Sequence, residues 1–298
     1  MTTAPPPSAA DQPDWEQAAV EVLCPLCEYN LRGLTEPRCP ECGYQFIWRE
    51  LLDPARRVHP YLFEHKRGLA IKAFLKTAWM NLRPRRFWAT LGPQQPSNPR
   101  RLIVYWIIVT CVAAAGVFGE FGVSEFRRYL ELNSPASRTR YGFFTRPLTL
   151  QYRYHWHNLV PYVITAAVVV AWPWMTVLAL MIFQISMRQA KVRPIHVLRC
   201  VLYASSVMLW MGLLLLAWDV NLAATLLAYG VGTTRPYANY GLLFAIPLEI
   251  TFTWCLIVAF SRYLRFSHAS ATILCGQIIA ILGIMTAFVL AIRIERWF

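Results

Sequence analysis

Five long stretches of the chain consist almost entirely of apolar residues, and charged residues stand at nearly every end of them. A helix of about 20 apolar residues crosses the ~30 Å hydrocarbon layer of a membrane, and none of the five shows the polar face that a helix of a soluble protein carries. The pattern therefore predicts five membrane-spanning helices and makes buried helices of a large soluble protein the weaker interpretation. The predicted spans are residues 102–119, 159–187, 200–218, 236–261 and 266–292.

The composition agrees with a membrane protein. Of the 298 residues, 56% are hydrophobic and only 15% are charged, which is more apolar than the core of a soluble domain requires. Residues 1–20 form a Pro-rich acidic tail that we expect to be disordered, and they lack the apolar region of a cleavable signal peptide. Residues 120–158 are expected to form a loop between the first two spans.

The distribution of basic residues predicts the orientation. If the N-terminus is cytoplasmic, the cytoplasmic segments hold 20 of the 29 Lys and Arg residues. The connection 188–199 has four basic residues and no acid, as the positive-inside rule requires for a cytoplasmic loop. We therefore predict a cytoplasmic N-terminus and a C-terminus outside, in a bacterial inner membrane.

Residues 24–46 read CPLCEYNLRGLTEPRCPECGYQF and contain two CPxC knuckles. Each pair places two thiolates on one turn, and two such turns close a tetrahedral metal site with Zn–S distances of ~2.3 Å. A closed four-cysteine site leaves no position for water, so it is structural and not catalytic. We predict one structural Zn²⁺, with iron as the main alternative. Gly43, after the second pair, supplies a positive φ, which Glu28 at the matching position after the first pair adopts less readily. The ligands are Cys24, Cys27, Cys39 and Cys42.

Other uses of the cysteines are less favoured. Disulfides conflict with a reducing cytoplasm, and a redox CxxC would be a single pair. The remaining cysteines lie singly in the spans, where they act as small hydrophobic residues. These are Cys111, Cys200, Cys255 and Cys275.

Two resemblances follow from these motifs. The knuckle pair resembles the zinc ribbon at the N-terminus of many bacterial proteins, which implies a small β module with a short hairpin between the knuckles. The segment KAFLKTAWMNLRPRRFWATLGP, followed by five spans, is similar to the Yip (Ypt-interacting-protein-like) family of five-span membrane proteins. The matching positions are Pro84, Phe87 and Trp88. The resemblance implies a trafficking-type protein.

The charge around the ribbon makes nucleic acid an improbable partner. The whole chain has a formal net charge of +13, but the first 48 residues carry seven acids and two arginines. A surface with that balance repels phosphates, whereas nucleic-acid modules need a basic footprint. We instead expect a protein partner for the ribbon.

The positive charge lies in the segment between the ribbon and the first span. Ile71, Phe74, Leu75, Ala78 and Leu82 recur at helical spacing there and predict an amphipathic helix that ends before Pro84. Such a helix fits the plane of anionic lipid headgroups, although packing on the ribbon or on the bundle is the alternative. The residues expected at the lipid surface are Lys72, Lys76, Arg83, Arg85 and Arg86.

Glu249 is the one formal charge inside the predicted spans. It should face the bundle, be protonated or have a partner, and Gln277 and Thr286 match its depth. His155 and His157 offer a weaker metal pair, and Pro173 in WPW predicts a kink.

The expected fold is an all-α integral membrane bundle of about five transmembrane helices, preceded by a small β zinc ribbon and an amphipathic helix. Its parts are the tail 1–20, the ribbon 21–48, the basic juxtamembrane segment 49–100 and the membrane domain 101–298. No P-loop, nucleophile elbow or dinucleotide fingerprint is present in the sequence. A non-enzymatic scaffold is therefore the first hypothesis, a transporter or channel using Glu249 the second, and an intramembrane enzyme the third.

Overall fold

The computed structural model describes residues 21–53, 58–66, 70–133, 148–186, 192–229, 240–266 and 268–295. The predicted acidic tail, the middle of the predicted 120–158 loop and the start of the predicted fourth span lie outside these residues. The side chains of His155 and His157 also lie outside the described part, so the weaker metal pair stays a prediction.

Long helices follow the five apolar stretches. The membrane helices are α4 (Pro99–Asn133), α5 (Leu148–Ser186), α6 (Pro194–Ala204) continued by α7 (Ser206–Tyr229), α8 (Tyr240–Arg262) and α9 (Ala269–Glu295). Five segments within them are long and apolar enough to cross a membrane: Pro99–Leu130, Leu159–Ile182, Pro194–Thr225, Ala245–Arg262 and Ala269–Ala287. These five segments are called the first to the fifth span, and they confirm the predicted all-α membrane fold.

The spans differ from the prediction at their ends. Helix α4 continues to Asn133, and α5 already begins at Leu148, so most of the predicted 120–158 loop is helical. The third span begins before Arg199 and continues past Asp219, two residues that the sequence pattern had placed at its ends. Helix α7 runs unbroken through residues 219–221. Arg199 does not mark the end of the span, because its hydrogen-bond partners within the protein allow a charge to be buried there.

Short helices connect the ribbon with the first span. They are α1 (Trp48–Leu52), a 3-10 turn at Phe63–His65, α2 (Ile71–Asn81) and α3 (Pro84–Thr90). Helix α2 ends before Pro84, as predicted, and Pro84 begins α3, because a proline fits the first turn of a helix and not its interior.

The chain divides into two compact units. The first contains residues 1–105, 175–204 and 253–298, and the second contains residues 106–174 and 205–252. The first unit therefore holds the ribbon, the short helices, the start of the third span and the fifth span. The described residues of the second unit belong to membrane helices.

In the second unit α4 and α7 approach each other at glycines. A Cβ atom on Gly212 would lie 2.6 Å from the Cα of Ala113, and one on Gly116 would lie 2.7 Å from the carbonyl oxygen of Gly212. Only glycine leaves room for two helix backbones at this distance, which is how helices associate in a membrane without a hydrophobic driving force.

Helix α2 shows a different division of its faces from the one predicted. Phe74 and Ala78 are buried, together with Ala73, Thr77 and Asn81, so part of the predicted lipid face packs against the protein. Trp79, which the pattern omitted, is 58% exposed. The packing alternative is thus correct for one face of α2, while Ile71, Leu75 and Leu82 stay exposed.

Helix α3 also turns its aromatic residues inward. Phe87 and Trp88 are buried, and the ring of each lies against Tyr203 of α6, 5.4 and 6.3 Å away between centroids. Arg85 and Arg86 remain exposed on the other face of α3. Phe87 and Trp88 therefore pack α3 against α6 within the first unit and are buried in the protein.

Candidate metal centre

The two knuckles have the same backbone geometry. The amide of Glu28 donates to the carbonyl of Cys24 over 2.9 Å, and the amide of Gly43 donates to the carbonyl of Cys39 over the same distance. Both Glu28 and Gly43 have positive φ, at 61° and 70°. The glycine adopts this conformation at no cost, whereas the glutamate is strained by about 1–2 kcal/mol. Glu28 adopts this conformation because the turn has to bring its two cysteine sulfurs to the same point.

The rest of the ribbon is made of turns. Among the described residues it contains no strand, and its only pairings are isolated bridges between Leu23 and Asn30 and between Arg38 and Gln45. Leu26 and Leu31 are almost completely buried between the knuckles. A core this small cannot keep the turns folded by hydrophobic burial alone, so the module needs a cross-link.

The four sulfurs meet at one point. The Sγ atoms of Cys24, Cys27, Cys39 and Cys42 all lie within 4.8 Å of one another, with 3.6 Å between Cys24 and Cys42 and 3.5 Å between Cys27 and Cys39. A tetrahedron with Zn–S bonds of ~2.3 Å places its sulfurs about 3.8 Å apart. A disulfide would require ~2.05 Å, and all four cysteines are free. The arrangement fits a four-thiolate metal site, whose structural form leaves no open coordination position.

The thiols influence one another strongly. The contact between the sulfurs of Cys24 and Cys42 lowers the pKa of the Cys24 thiol to about 5 and raises the pKa of the Cys42 thiol. Burial raises the pKa of the Cys27 thiol to about 12. Four crowded sulfurs cannot all ionise without a cation to balance them, so deprotonation and metal binding must occur together.

The first knuckle is attached to the beginning of the third span. The amide of Arg193 donates to the carbonyl of Leu26 over 2.9 Å, and the ring of His196 donates to the carbonyl of Pro25 over 2.8 Å. Arg193 also forms a half-exposed ion pair with Glu28, with 2.8 Å between the charged atoms. The strained glutamate of the knuckle thus faces a cation of the membrane domain.

The second knuckle is attached to the connection between the fourth and fifth spans. The guanidinium of Arg265 donates to the carbonyl of Gln45 over 2.9 Å and lies 5.5 Å from the centre of the Tyr44 ring. Arg265 itself has a positive φ of 58°. The structure thus brings the ribbon, the start of the third span and this connection together. The side of the membrane on which they lie stays a prediction.

A buried ion pair joins the start of the third span to the 3-10 turn. Arg199 of α6 and Glu64 of the 3-10 turn are both fully buried, and the Nε atom of Arg199 donates to Glu64 over 2.6 Å. The guanidinium also donates to the carbonyl of Gln95 over 3.1 Å and to the hydroxyl of Tyr263 over 3.0 Å. The second oxygen of Glu64 accepts from the amide of Asn98. A charge pair withdrawn from water needs such additional hydrogen bonds to offset its desolvation.

The ion pair connects to the knuckle by a chain of hydrogen bonds. The Tyr263 hydroxyl and Nδ1 of His196 are 2.8 Å apart, and Nε2 of His196 bonds to the carbonyl of Pro25. Because a carbonyl can only accept, Nε2 carries the proton and Nδ1 accepts from the tyrosine. The chain therefore runs from Glu64 through Arg199, Tyr263 and His196 to the residue that follows Cys24.

The sequence pattern predicts the group of four cysteines but not this chain of hydrogen bonds. Arg199 stands beside the end of a predicted span, and the pattern assigns no role to Glu64. The residues that join them are far apart in sequence, and no local spacing signals their contact. The one available signal was the excess of polar side chains near the start of α6, where His196 and Arg199 share a face at i and i+3.

The predicted intramembrane site is only partly described by the structure. Glu249 is half-buried on α8 and has an interaction partner. Gln277 is buried on α9 and bonds to the hydroxyl of Thr176 on α5, with 3.3 Å between the amide nitrogen and the hydroxyl. The Thr286 hydroxyl donates to the carbonyl of Leu282 in its own helix. A functional role for Glu249 stays a prediction.

No protein-family model, no curated protein and no solved structure matches this chain. The resemblances to zinc ribbons and to the Yip family therefore rest on the sequence motifs alone. The structure contributes two coarser statements, a helical membrane protein with five spans and a group of four cysteines that can hold a metal ion.

Proposed function

We propose that this chain is a non-enzymatic membrane scaffold whose cytoplasmic zinc ribbon organises the ends of its own spans and binds a protein partner. The observation that carries the proposal is the attachment of both knuckles to the membrane domain, through Arg193 and His196 on one side and Arg265 on the other. One Zn²⁺ held by the four cysteines fixes both turns at once. The metal thereby links the third span to the connection between the fourth and fifth.

The donor set supports zinc in a structural role. Four thiolates satisfy a tetrahedral ion completely and leave no site for a substrate. The binding free energy of such a site, about 10–16 kcal/mol, is folding free energy for so small a module. A ribbon folded in this way is a rigid platform, which suits a scaffold better than a reaction.

The second knuckle has a surface that is open to a partner. A shallow cavity of about 370 Å³ lies beside it, lined by Leu34, Thr35, Glu36, Arg38, Cys39, Pro40 and Gly43. Glu36 and Arg38 are exposed there and carry opposite charges. Polar groups of both signs favour a protein partner over a nucleic acid, whose phosphates would meet the net negative charge of the ribbon.

Replacing a ligand tests the metal. We expect the purified, reduced protein to contain one zinc ion per chain and the Cys39→Ser variant to contain none, with its ribbon unfolded and its five spans still inserted. Metal analysis and limited proteolysis measure the two effects. Cys111→Ser is the matched control, because Cys111 is an exposed cysteine far from the ribbon in sequence. Absence of metal from the reduced wild type, or full occupancy in Cys39→Ser, would disprove the metal site.

A charge reversal in the cavity tests the partner. Tagged full-length protein should capture a partner that Glu36→Arg and Cys39→Ser both lose. Glu21→Arg changes the same charge at an exposed position of the ribbon outside the cavity and should retain the partner. Quantitative mass spectrometry of the captured proteins makes the comparison. If all four proteins capture the same set, the ribbon is not the binding surface and the scaffold proposal fails.

A further inference from the structure

The exposed face of α2 has two chemically different sides. Its apolar side consists of four large residues with exposed fractions between 46% and 69%, namely Ile71, Leu75, Trp79 and Leu82. Its basic side consists of Lys72, Lys76 and Arg83, which are also exposed. At 3.6 residues per turn these two sets form adjacent stripes, and the buried residues Phe74, Thr77 and Asn81 occupy the rest of the circumference. Four exposed apolar residues on a short helix indicate a surface that something covers.

The packing of α2 fixes its depth in the protein. The ring of Phe74 lies 5.1 Å from that of Tyr105, which is in the second turn of α4. The amide of Asn81 donates to the carbonyl of Tyr203, which is in the last turn of α6. The rings of Tyr105 and Tyr203 are themselves 5.2 Å apart. Helix α2 is therefore held beside the second turn of the first span and the third turn of the third span.

We propose that the apolar stripe of α2 inserts into the leaflet on the ribbon side of the membrane and that the basic stripe binds anionic phospholipid headgroups. Two arguments identify the occupant. First, the apolar stripe lies on a helix that packs against the first span, and that span also exposes an apolar side chain there, since Ile103 is 37% exposed. Second, the basic stripe complements a negatively charged leaflet, in which each cation near the surface favours binding.

The two stripes suit the interface between membrane and water better than full exposure to water or burial in protein. An amphipathic helix in the interfacial plane carries Trp and aliphatic residues toward the acyl chains and Lys or Arg toward the phosphates. Trp79 has the ring that prefers the headgroup level. Lys76 keeps its ammonium group 4.8 Å from the centre of the Tyr61 ring, which holds the cation at the edge of the protein.

Photo-crosslinking in nanodiscs tests the insertion. A photoreactive phenylalanine analogue at position 79 of the full-length protein should cross-link to lipid. The same analogue at position 47 is the matched control, because Ile47 is 48% exposed on the ribbon and should not reach lipid. Cross-links from position 79 to another protein chain only, or equal lipid yields at both positions, would overturn the proposal.

Lipid selectivity tests the basic stripe. In nanodiscs that contain phosphatidylglycerol and phosphatidylcholine, we expect the wild type to enrich phosphatidylglycerol among its bound lipids. Each removed cation should lower the enrichment about fivefold, so Lys72→Gln/Lys76→Gln should lose most of it. The control Arg32→Gln/Arg49→Gln removes the same charge from exposed positions near the ribbon and should keep it.

The single variant Lys72→Gln repeats the test without altering the contact between Lys76 and Tyr61. It should lower the enrichment of phosphatidylglycerol about fivefold. Equal enrichment in the wild type and in the Lys72 and Lys76 variants would overturn the headgroup assignment. So would the same loss in the Arg32 and Arg49 control.

Discussion

Arg199 and Asp219 are two buried charged residues of the same span, and the protein treats them in opposite ways. Arg199, in the first unit, bonds to a carboxylate, a carbonyl and a hydroxyl. Asp219, in the second unit, is 3% exposed, and its Oδ2 atom has no hydrogen-bond partner among the described residues. A second carboxylate, Glu120, lies within electrostatic reach of it. The first unit thus surrounds its buried charge with polar partners, whereas the second buries its charge among closely packed helices.

The glycines of the second unit support this distinction. The Oδ2 atom of Asp219 would lie 2.7 Å from a Cβ atom on Gly119, so the carboxyl group fills space left by a missing side chain. In the first unit, by contrast, the polar chain reaches from Glu64 to the knuckle of Cys24. The two units should therefore respond differently to the loss of a polar group and to the gain of a methyl group.

The largest effect should come from breaking the buried ion pair. Arg199→Met leaves the carboxylate of Glu64 buried without its main partner, and such a loss costs about 3–5 kcal/mol. We expect the free energy of unfolding in detergent to fall by that amount. The double variant Arg199→Met/Glu64→Leu removes the stranded charge as well and should lose much less. A single variant as stable as the wild type would show that the pair contributes nothing.

A methyl group between the helices should affect the second unit. Gly212→Ala places a Cβ atom against the backbone of Val112 and Ala113, which cannot yield as a flexible side chain could. Overpacking of this kind costs about 1–3 kcal/mol. Gly122→Ala is the control, since a Cβ atom there meets nothing within 4 Å. Thermal unfolding of both variants in the same detergent makes the comparison, and equal midpoints would contradict the close approach.

Removing one hydroxyl should interrupt the polar chain. Tyr263→Phe takes an acceptor from Arg199 and the donor from His196, both of which are buried, at a cost of about 1–2 kcal/mol. Hydrogen exchange of the amides around Cys24 should also become faster, because His196 holds the knuckle. Tyr61→Phe removes a hydroxyl from an exposed contact with Thr90 and should change neither quantity. Faster exchange in both variants would argue against a specific chain.

The smallest effect is expected at the other buried charge. Asp219→Asn keeps the shape of the side chain and removes a carboxylate that is costly in hydrocarbon. We expect the free energy of unfolding to stay within about 0.5 kcal/mol of the wild type or to rise slightly. Glu64→Gln, the same exchange beside Arg199, should be clearly destabilising. A fall of more than about 1 kcal/mol in the free energy of unfolding of Asp219→Asn would show that the Asp219 carboxylate has a stabilising partner in the protein.

Local patterns predicted the parts that depend on local chemistry. The two CPxC turns, their positive φ at Gly43 and the end of α2 before Pro84 follow from residues within a few positions of one another. The apolar stretches predicted the number of spans, because the thickness of the hydrocarbon layer fixes their length. The predicted end of the third span was wrong where a charged residue served as the boundary. Arg199 lies inside that span, because its hydrogen-bond partners allow its charge to be buried there.

Which faces are covered could not be predicted from spacing. The apolar pattern of α2 placed Phe74 and Leu75 on one face, yet the structure buries the first and exposes the second. Both positions satisfy the same helical period, and only the location of Tyr105 decides between them. The same holds for Phe87 and Trp88, which are buried although they directly follow the exposed Arg85 and Arg86.

The sequence by itself determined the five spans and the group of four cysteines that can hold a metal ion, because a tetrahedral site requires four thiolates at short spacing and a membrane requires a fixed length of apolar helix. The tertiary structure alone decided that the ribbon is attached to the membrane helices. Arg193, His196 and Arg265 reach the knuckles from segments more than 150 residues away, and no local pattern encodes such a contact. Hydrogen bonds between distant segments depend on where the helices end in space, and packing sets that position.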